Sequence, residues 1–344
     1  MTKDIKAQKR LLAYIGSGPV IERDVKKLTH INIAFGGLRR DGSVSGANHE
    51  KVKMLPKFRE WNPDIKVLLS FVAEGGQADS FSVCAKDEGL RRKTAENMAR
   101  LVEETGLDGI DLDWEYPCVP SNGYDVCLED RENFTLLCLA ISEELDKLPG
   151  KKMLTIAAGA DLYYVKCTEL DKLANILDYI CLMTYDLKCG FHALAGHHTA
   201  LYSNRGDVFT NSCDQALRLF NSAGVPKEKL LMGCAFYSRK WENIADRNHG
   251  LLQICKNGGG YGPDYEPLEK DYINKNGYVR YWDEEAMAPY LFNGSTFLSY
   301  DDEESLANKA KYVVENGYGG LFYWEHKCDT TGKLLDALYR NIKA

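Results

Sequence analysis

No stretch of this 344-residue chain approaches the ~20 consecutive apolar residues that a membrane-crossing helix needs. No Cys-x-x-Cys pair occurs, which removes the usual ligand spacing of a structural zinc site. The triglycine at 258–260 is not followed by Gly-Lys-Ser/Thr, so a phosphate-binding loop is excluded. Internal repeats, heptad arrays and low-complexity tracts are missing. Positive charge is in deficit: 43 Lys and Arg stand against 50 Asp and Glu, a net charge of -7. That balance speaks against a nucleic-acid or anionic-membrane partner and is compatible with a neutral substrate. The polar start has no apolar signal core and no small-residue cleavage site. The expectation is a cytoplasmic protein, or else a secreted one whose signal was removed. Eleven cysteines are an odd number, and Cys138, Cys181 and Cys234 fall in core-like segments. Buried thiols of this kind act as small hydrophobes, which favours a reducing compartment. Cys118 and Cys127 flank a loop and are the candidates for a bridge.

What is present is a globular composition, 44% hydrophobic and 27% charged. Short apolar runs at 11–15, 30–35, 66–71, 109–115, 153–157, 179–184, 230–236 and 320–324 read as strands. Helical spacing fills 87–105, 129–148, 305–316 and 332–342. Eight strands alternating with helices predict a parallel sheet, here a (β/α)8 TIM barrel. Such a barrel takes ~250 residues, which leaves room for an extra module. The long gap between strands seven and eight, rich in glycine and tyrosine with a short strand at 278–283, predicts an α+β insertion over 241–289. The barrel then comprises 1–240 and 290–344.

The most telling segment is Leu107-Asp-Gly-Ile-Asp-Leu-Asp-Trp-Glu-Tyr-Pro117. In a strand, Asp111, Asp113 and Glu115 share one face while Ile110, Leu112 and Trp114 share the other. Like charges in file raise one another's pKa. An acid kept protonated beside one that stays ionised is the arrangement that glycosidic-bond cleavage uses. Pro117 ends the pairing, so Glu115 is expected at the carboxyl end of the strand, where barrel enzymes place their chemistry. Asp108 falls on the opposite face and is assigned a structural role. His192, His197 and His198 share one loop, but their spacing fits no standard metal site; loop hydrogen bonding is expected, and no metal.

The run Asp108-Gly-Ile-Asp111-Leu-Asp113-Trp-Glu115 resembles the Asp-x-x-Asp-x-Asp-x-Glu signature of glycoside hydrolase family 18, the chitinases. Met183-Thr-Tyr185-Asp186, Phe236-Tyr237-Ser-Arg239-Lys-Trp241 and Gly319-Gly320-Leu-Phe-Tyr-Trp324-Glu325 resemble its segments at strands six, seven and eight. The insertion resembles the small module of the family's deep-cleft branch. Two departures stand out: Ser70-Phe-Val-Ala-Glu-Gly75-Gly76 replaces the usual Ser-x-Gly-Gly after strand three, and Ser238 replaces a glycine.

The resemblance implies a retaining, substrate-assisted reaction on N-acetylglucosamine polymers, with no cofactor. Glu115 would be the general acid/base. Asp113 would hold the acetamido N–H and stabilise the oxazolinium ion, and Asp111 would share a proton with Asp113. Tyr185 would donate to the acetamido oxygen, and Asp186 would bond the sugar. Trp324 would floor the site, with Tyr14, Phe35, Met183 and Tyr237 as further lining. Arg239 is left between a substrate oxygen and an acid of the insertion. The insertion and the Trp-Glu-Tyr-Pro ending favour chitin or chitooligosaccharides, cleaved within the chain or from its end. N-glycan or peptidoglycan substrates are the alternative. A non-catalytic lectin is the third reading, set against the presence of Glu115. A monomer acting on soluble oligosaccharides is expected.

Overall fold

The computed structural model describes residues 9–120 and 127–343. Eight parallel strands close into a barrel: Arg10–Ile15, His30–Leu38, Lys66–Ala73, Gly109–Asp113, Met153–Gly159, Tyr179–Met183, Leu230–Ala235 and Gly320–Trp324. Each pairs with its predecessor, and the eighth lies between the seventh and the first. First-to-second pairing completes the ring. The second strand outruns its expected end because Gly37 and Leu38 pair antiparallel with a short strand, Val44–Ser45. The fourth stops at Asp113, not Glu115. Asp113 opposite Ala157 is its last paired residue, and the chain bends before Pro117.

Strand parity divides the apolar residues between two cores. Leu11, Ala13 and Ile15 face outward to the helices, whereas Leu12 and Tyr14 face inward with Tyr179, Cys181, Leu231 and Phe322. The barrel is thus filled by side chains, as expected for eight strands. Ile110, Leu112 and Trp114 belong to the outer core, where Trp114 stacks on Phe81 and meets Phe134 edge-on. Asp108 accepts from the Val67 N–H at 3.0 Å and from Arg59 at 3.2 Å, on the outer side of the strand start. The helix Glu88–Thr105 begins with the Asp87 side chain accepting from the Leu90 N–H and ends at Gly106, whose φ of 73° suits glycine. The helices Asp130–Leu145, Glu303–Glu315 and Lys333–Ile342 match the other helical periodicities closely.

Between barrel strands seven and eight lies a five-stranded antiparallel sheet. Its order is Gly260–Asp264, Tyr237–Trp241, Phe297–Ser299, Ala288–Phe292, Val279–Asp283. With the helix Tyr265–Asp271 it spans 237–299, wider than 241–289. Hydrophobic patterning marked the middle of the module but not its ends, and its first strand, Tyr237–Trp241, directly continues the apolar run of strand seven. Trp241, Ile244, Tyr290, Phe292 and Phe297 form a separate core there. Gly258 approaches Gly190 so closely that a Cβ would lie 2.1 Å from its carbonyl oxygen, which explains part of the triglycine. Just past the module, a buried ion pair fastens the helix Glu303–Glu315 to the end of strand seven. Lys309 Nζ lies 2.7 Å from Asp301 Oδ2, which also accepts from the Ala235 N–H at the end of strand seven.

All eleven cysteines are free. Cys118 and Cys127 do not bridge. The Cys118 thiol donates toward Leu128 O and the Cys127 thiol toward Glu129. Among the described residues no helix is long and apolar enough to cross a membrane. Most of the polar start, 1–8, and part of the loop after Cys118 lie outside the described residues.

Candidate active site

The fourth barrel strand carries its acids from the barrel interior toward the mouth. Asp111 is fully buried. Its Oδ2 accepts from Tyr14 at 2.8 Å and Ser70 at 2.7 Å, and its Oδ1 from Thr155 at 2.6 Å. Ser70 and Thr155 are its register neighbours on strands three and five. Burial raises the Asp111 pKa, and these three hydroxyls pull back part of that rise. The hydrogen bonds that hold Asp111 come from hydroxyls on strands one, three and five.

Asp113 comes next. Burial pushes its carboxyl well above the ordinary range, with the Glu115 and Asp111 charges adding to the effect. Its Oδ1 is buried without a protein hydrogen-bond partner among the described residues. Glu115 lies two residues past the strand and opens onto the pocket. Its side chain is exposed at the pocket mouth, yet the protein atoms crowding around it desolvate it and raise its pKa; Tyr116 opposes the rise, and the Asp186 charge adds to it. Desolvation thus raises all three carboxyls, and hydroxyl donors oppose the rise at Asp111 and Glu115.

Across the mouth, strand six ends at Met183 and delivers Tyr185 and Asp186. Asp186 takes a left-handed φ of 55°, which an aspartate tolerates better than most residues. Arg239 grips it bidentately, Nε to Oδ1 and Nη2 to Oδ2, both at 2.6 Å. Burial alone would raise the Asp186 pKa. The bonds from His198 and Arg239 outweigh it and hold the carboxyl well below the usual range. Arg239 thus pairs with an acid of the barrel and not with one of the insertion. Burial keeps the Tyr185 and Tyr237 phenols well above their usual pKa, so both remain hydroxyl donors.

These groups surround a cavity of about 970 Å³ at the carboxyl ends of the strands. Ten of the eleven sequence-selected residues line it: Glu115, Asp113, Tyr185, Trp324, Asp186, Met183, Tyr237, Arg239, Tyr14 and Phe35. Asp111 sits beneath, reached through Tyr14. Half-buried Trp324 stacks on Phe35 at 5.5 Å and tilts against Tyr14 at 5.9 Å, forming an apolar floor. Such a face suits a pyranose ring, whose C–H bonds pack on aromatic carbon.

The loop histidines bond locally. His197 Nε2 is 3.0 Å from Asp283, His192 accepts from the Cys189 N–H, and His198 stands 3.5 Å from Asp186. Among the described residues no cluster of His, Cys, Asp and Glu has the shape of a metal site. The two motif departures are also placed. Ser238 donates to Pro263 O at 2.7 Å inside the module. Glu74 of the altered loop bonds Ser45 and pairs with Arg39, fastening that loop to the second strand's hairpin.

Several residues escaped sequence reading. Thr155 and Ser70 were visible only through strand register. Tyr261 lies in the insertion, far along the chain, yet its ring covers the Arg239 guanidinium at 3.7 Å and lines the pocket. His198 was grouped with its loop neighbours and not with Asp186.

A family model described as glycosyl hydrolases family 18 matches residues 6–329. Chitinase A1 of Niallia circulans is 36% identical over 328 residues, covering 90% of this chain and 46% of that protein. A probable endochitinase of Caenorhabditis elegans is 30% identical over 324 residues, covering 86% of this chain and 51% of that one. The chain spans about half the length of these two curated relatives. The structure of a family 18 N-acetylglucosaminidase from Paenibacillus barengoltzii superposes with a TM-score of 0.92 at 45% identity, covering 97% of this chain and 99% of that one.

Proposed function

Because this chain belongs to the glycosyl hydrolases of family 18, we propose that it hydrolyses β-1,4 bonds between N-acetylglucosamine units of chitooligosaccharides, with retention and with the substrate's own acetamido group as nucleophile. The observation that carries this reading is the graded file of acids, from hydroxyl-bonded Asp111 through partnerless Asp113 to pocket-facing Glu115.

Glu115, its proton held by burial and by the Asp186 charge, protonates the leaving glycosidic oxygen. The acetamido carbonyl oxygen attacks the anomeric carbon of the same sugar as that bond breaks. The buried, unmet Asp113 Oδ1 accepts the acetamido N–H, and the carboxylate balances the positive charge of the oxazolinium ion. The Tyr185 hydroxyl orients the carbonyl oxygen. Water, deprotonated by Glu115, then opens the ring from the face the leaving group vacated. Asp186, aligned by Arg239, bonds the sugar, and Trp324 supports it.

Likeness to the Paenibacillus N-acetylglucosaminidase, which this chain matches over nearly its whole length, favours a second reading: release of single N-acetylglucosamine units from a chain end. Both readings are tested with fluorogenic chitobiose and chitotriose glycosides and free oligosaccharides. Wild type turns over, Glu115→Gln loses about 10³-fold in kcat/KM, and the β-anomer forms first by NMR. Dimers among the first products indicate the first reading and monomers the second. Tight binding without turnover by wild type would overturn both in favour of a lectin.

A further inference from the structure

The segment that follows Glu115 turns back against the short helix Leu162–Lys166, where Cys118 meets Tyr163 and Cys167. Cys118 sits at φ 59°, a left-handed conformation that a non-glycine residue keeps only when held. Its N–H donates to Asp130 at 3.2 Å and its carbonyl accepts from the Tyr163 hydroxyl at 3.1 Å. Its Sγ lies 3.9 Å from the carbonyl oxygen of Cys167, the residue that ends that helix. The Cys167 side chain is among the groups that bear on the Cys118 thiol and raise its pKa. Cys118 is 3% exposed, whereas Cys167 is partly open to solvent. Neither sulfur has a part in the reaction proposed above.

We propose that Cys118 and Cys167 are a latent disulfide pair that locks the segment behind Glu115 to the pocket wall bearing Tyr163 and Tyr164. The pairing differs from the Cys118–Cys127 bridge that sequence spacing suggests. The Cys118 sulfur reaches the Cys167 backbone, whereas the Cys127 thiol is engaged with Glu129. The oxidant is a low-molecular-weight disulfide. Cys167, the accessible thiol, attacks it, forming a mixed disulfide and releasing one small thiol. Burial pushes the Cys118 thiol up to about 12, so it is a poor first nucleophile and acts as the resolving group. Cys118 then attacks the Cys167 sulfur, and the second small thiol leaves. Two protein thiols lose two hydrogens, and one small disulfide becomes two thiols.

The test treats the full chain with glutathione disulfide, alkylates the remaining thiols and maps peptides under non-reducing conditions. The expected result is a Cys118–Cys167 cross-linked peptide that dithiothreitol removes, that persists in Cys127→Ser and that is missing in Cys167→Ser. The oxidised wild type should melt roughly 5 °C higher than the reduced form, because closing a long loop restricts the unfolded chain. Cys167→Ser should lack that oxidant-dependent shift while melting like reduced wild type. Cross-linking of Cys118 to Cys127, or full alkylation of both Cys118 and Cys167 after oxidant, would overturn the proposal. These readouts are independent of turnover, so they stand or fall apart from the hydrolase reading.

Discussion

Glu115 and Asp186 are both carboxylates at the same barrel mouth, yet their surroundings drive them in opposite directions. Glu115 is raised by burial and by the Asp186 charge, and Asp186 is held down by Arg239 and His198. A general acid works only while protonated, so the alkaline limb of kcat/KM reports the Glu115 proton. Removing a neighbouring negative charge lowers the Glu115 pKa. Asp186→Asn should therefore move the alkaline limb to lower pH, along with any loss in rate. Arg239→Ala exposes the Asp186 charge to Glu115 and should move the limb the other way. A pH series on a fluorogenic substrate measures both. Shifts of the same sign, or none, would show that Asp186 does not tune the acid.

At the scale of elements, the alternation of residues 109–115 was readable because a strand has period two and this one is buried on both faces. Its parity placed Asp111 and Asp113 inside and Trp114 outside. The exact end of the strand was not readable, since the chain leaves the sheet after Asp113 while strand five runs on to Gly159. Nor was the anchoring of the helix Glu303–Glu315. Lys309 looks like a surface lysine in an amphipathic helix, yet it is fully buried against Asp301 and Thr199. Removing one partner of a buried pair typically costs about 3–5 kcal/mol, because the other charge is left uncompensated. Lys309→Met should lower the melting temperature by roughly 10 °C. The double variant Lys309→Met/Asp301→Leu should recover part of that loss. A single variant that melts with wild type in scanning calorimetry would show that the pair does not hold the helix.

For the whole molecule, the catalytic file is a source of instability. A carboxyl whose pKa is higher folded than unfolded binds more protons in the folded state. Its contribution to stability is fully present below the unfolded pKa and is lost as pH rises toward the folded value. Asp113 is such a group. Asp113→Asn keeps the shape without the buried charge, so it should abolish turnover and raise the melting temperature at pH 7 by several degrees. That gain should shrink as the pH falls to about 4, the ordinary aspartate range. An equal gain at both pH values would assign the effect to packing and not to charge.

The sequence by itself determined the barrel, the place of its insertion and the acids and aromatic floor of the pocket. Those features depend on local periodicity and on motifs written contiguously along single strands. Only the tertiary structure decided which groups touch. Ser70, Thr155 and Tyr14 converge on Asp111 from three strands, Arg239 turns from the module to Asp186, and Tyr261 closes over that arginine. Each of these contacts joins residues tens of positions apart or more. It exists because barrel closure and strand register set their separation, and no local pattern encodes that.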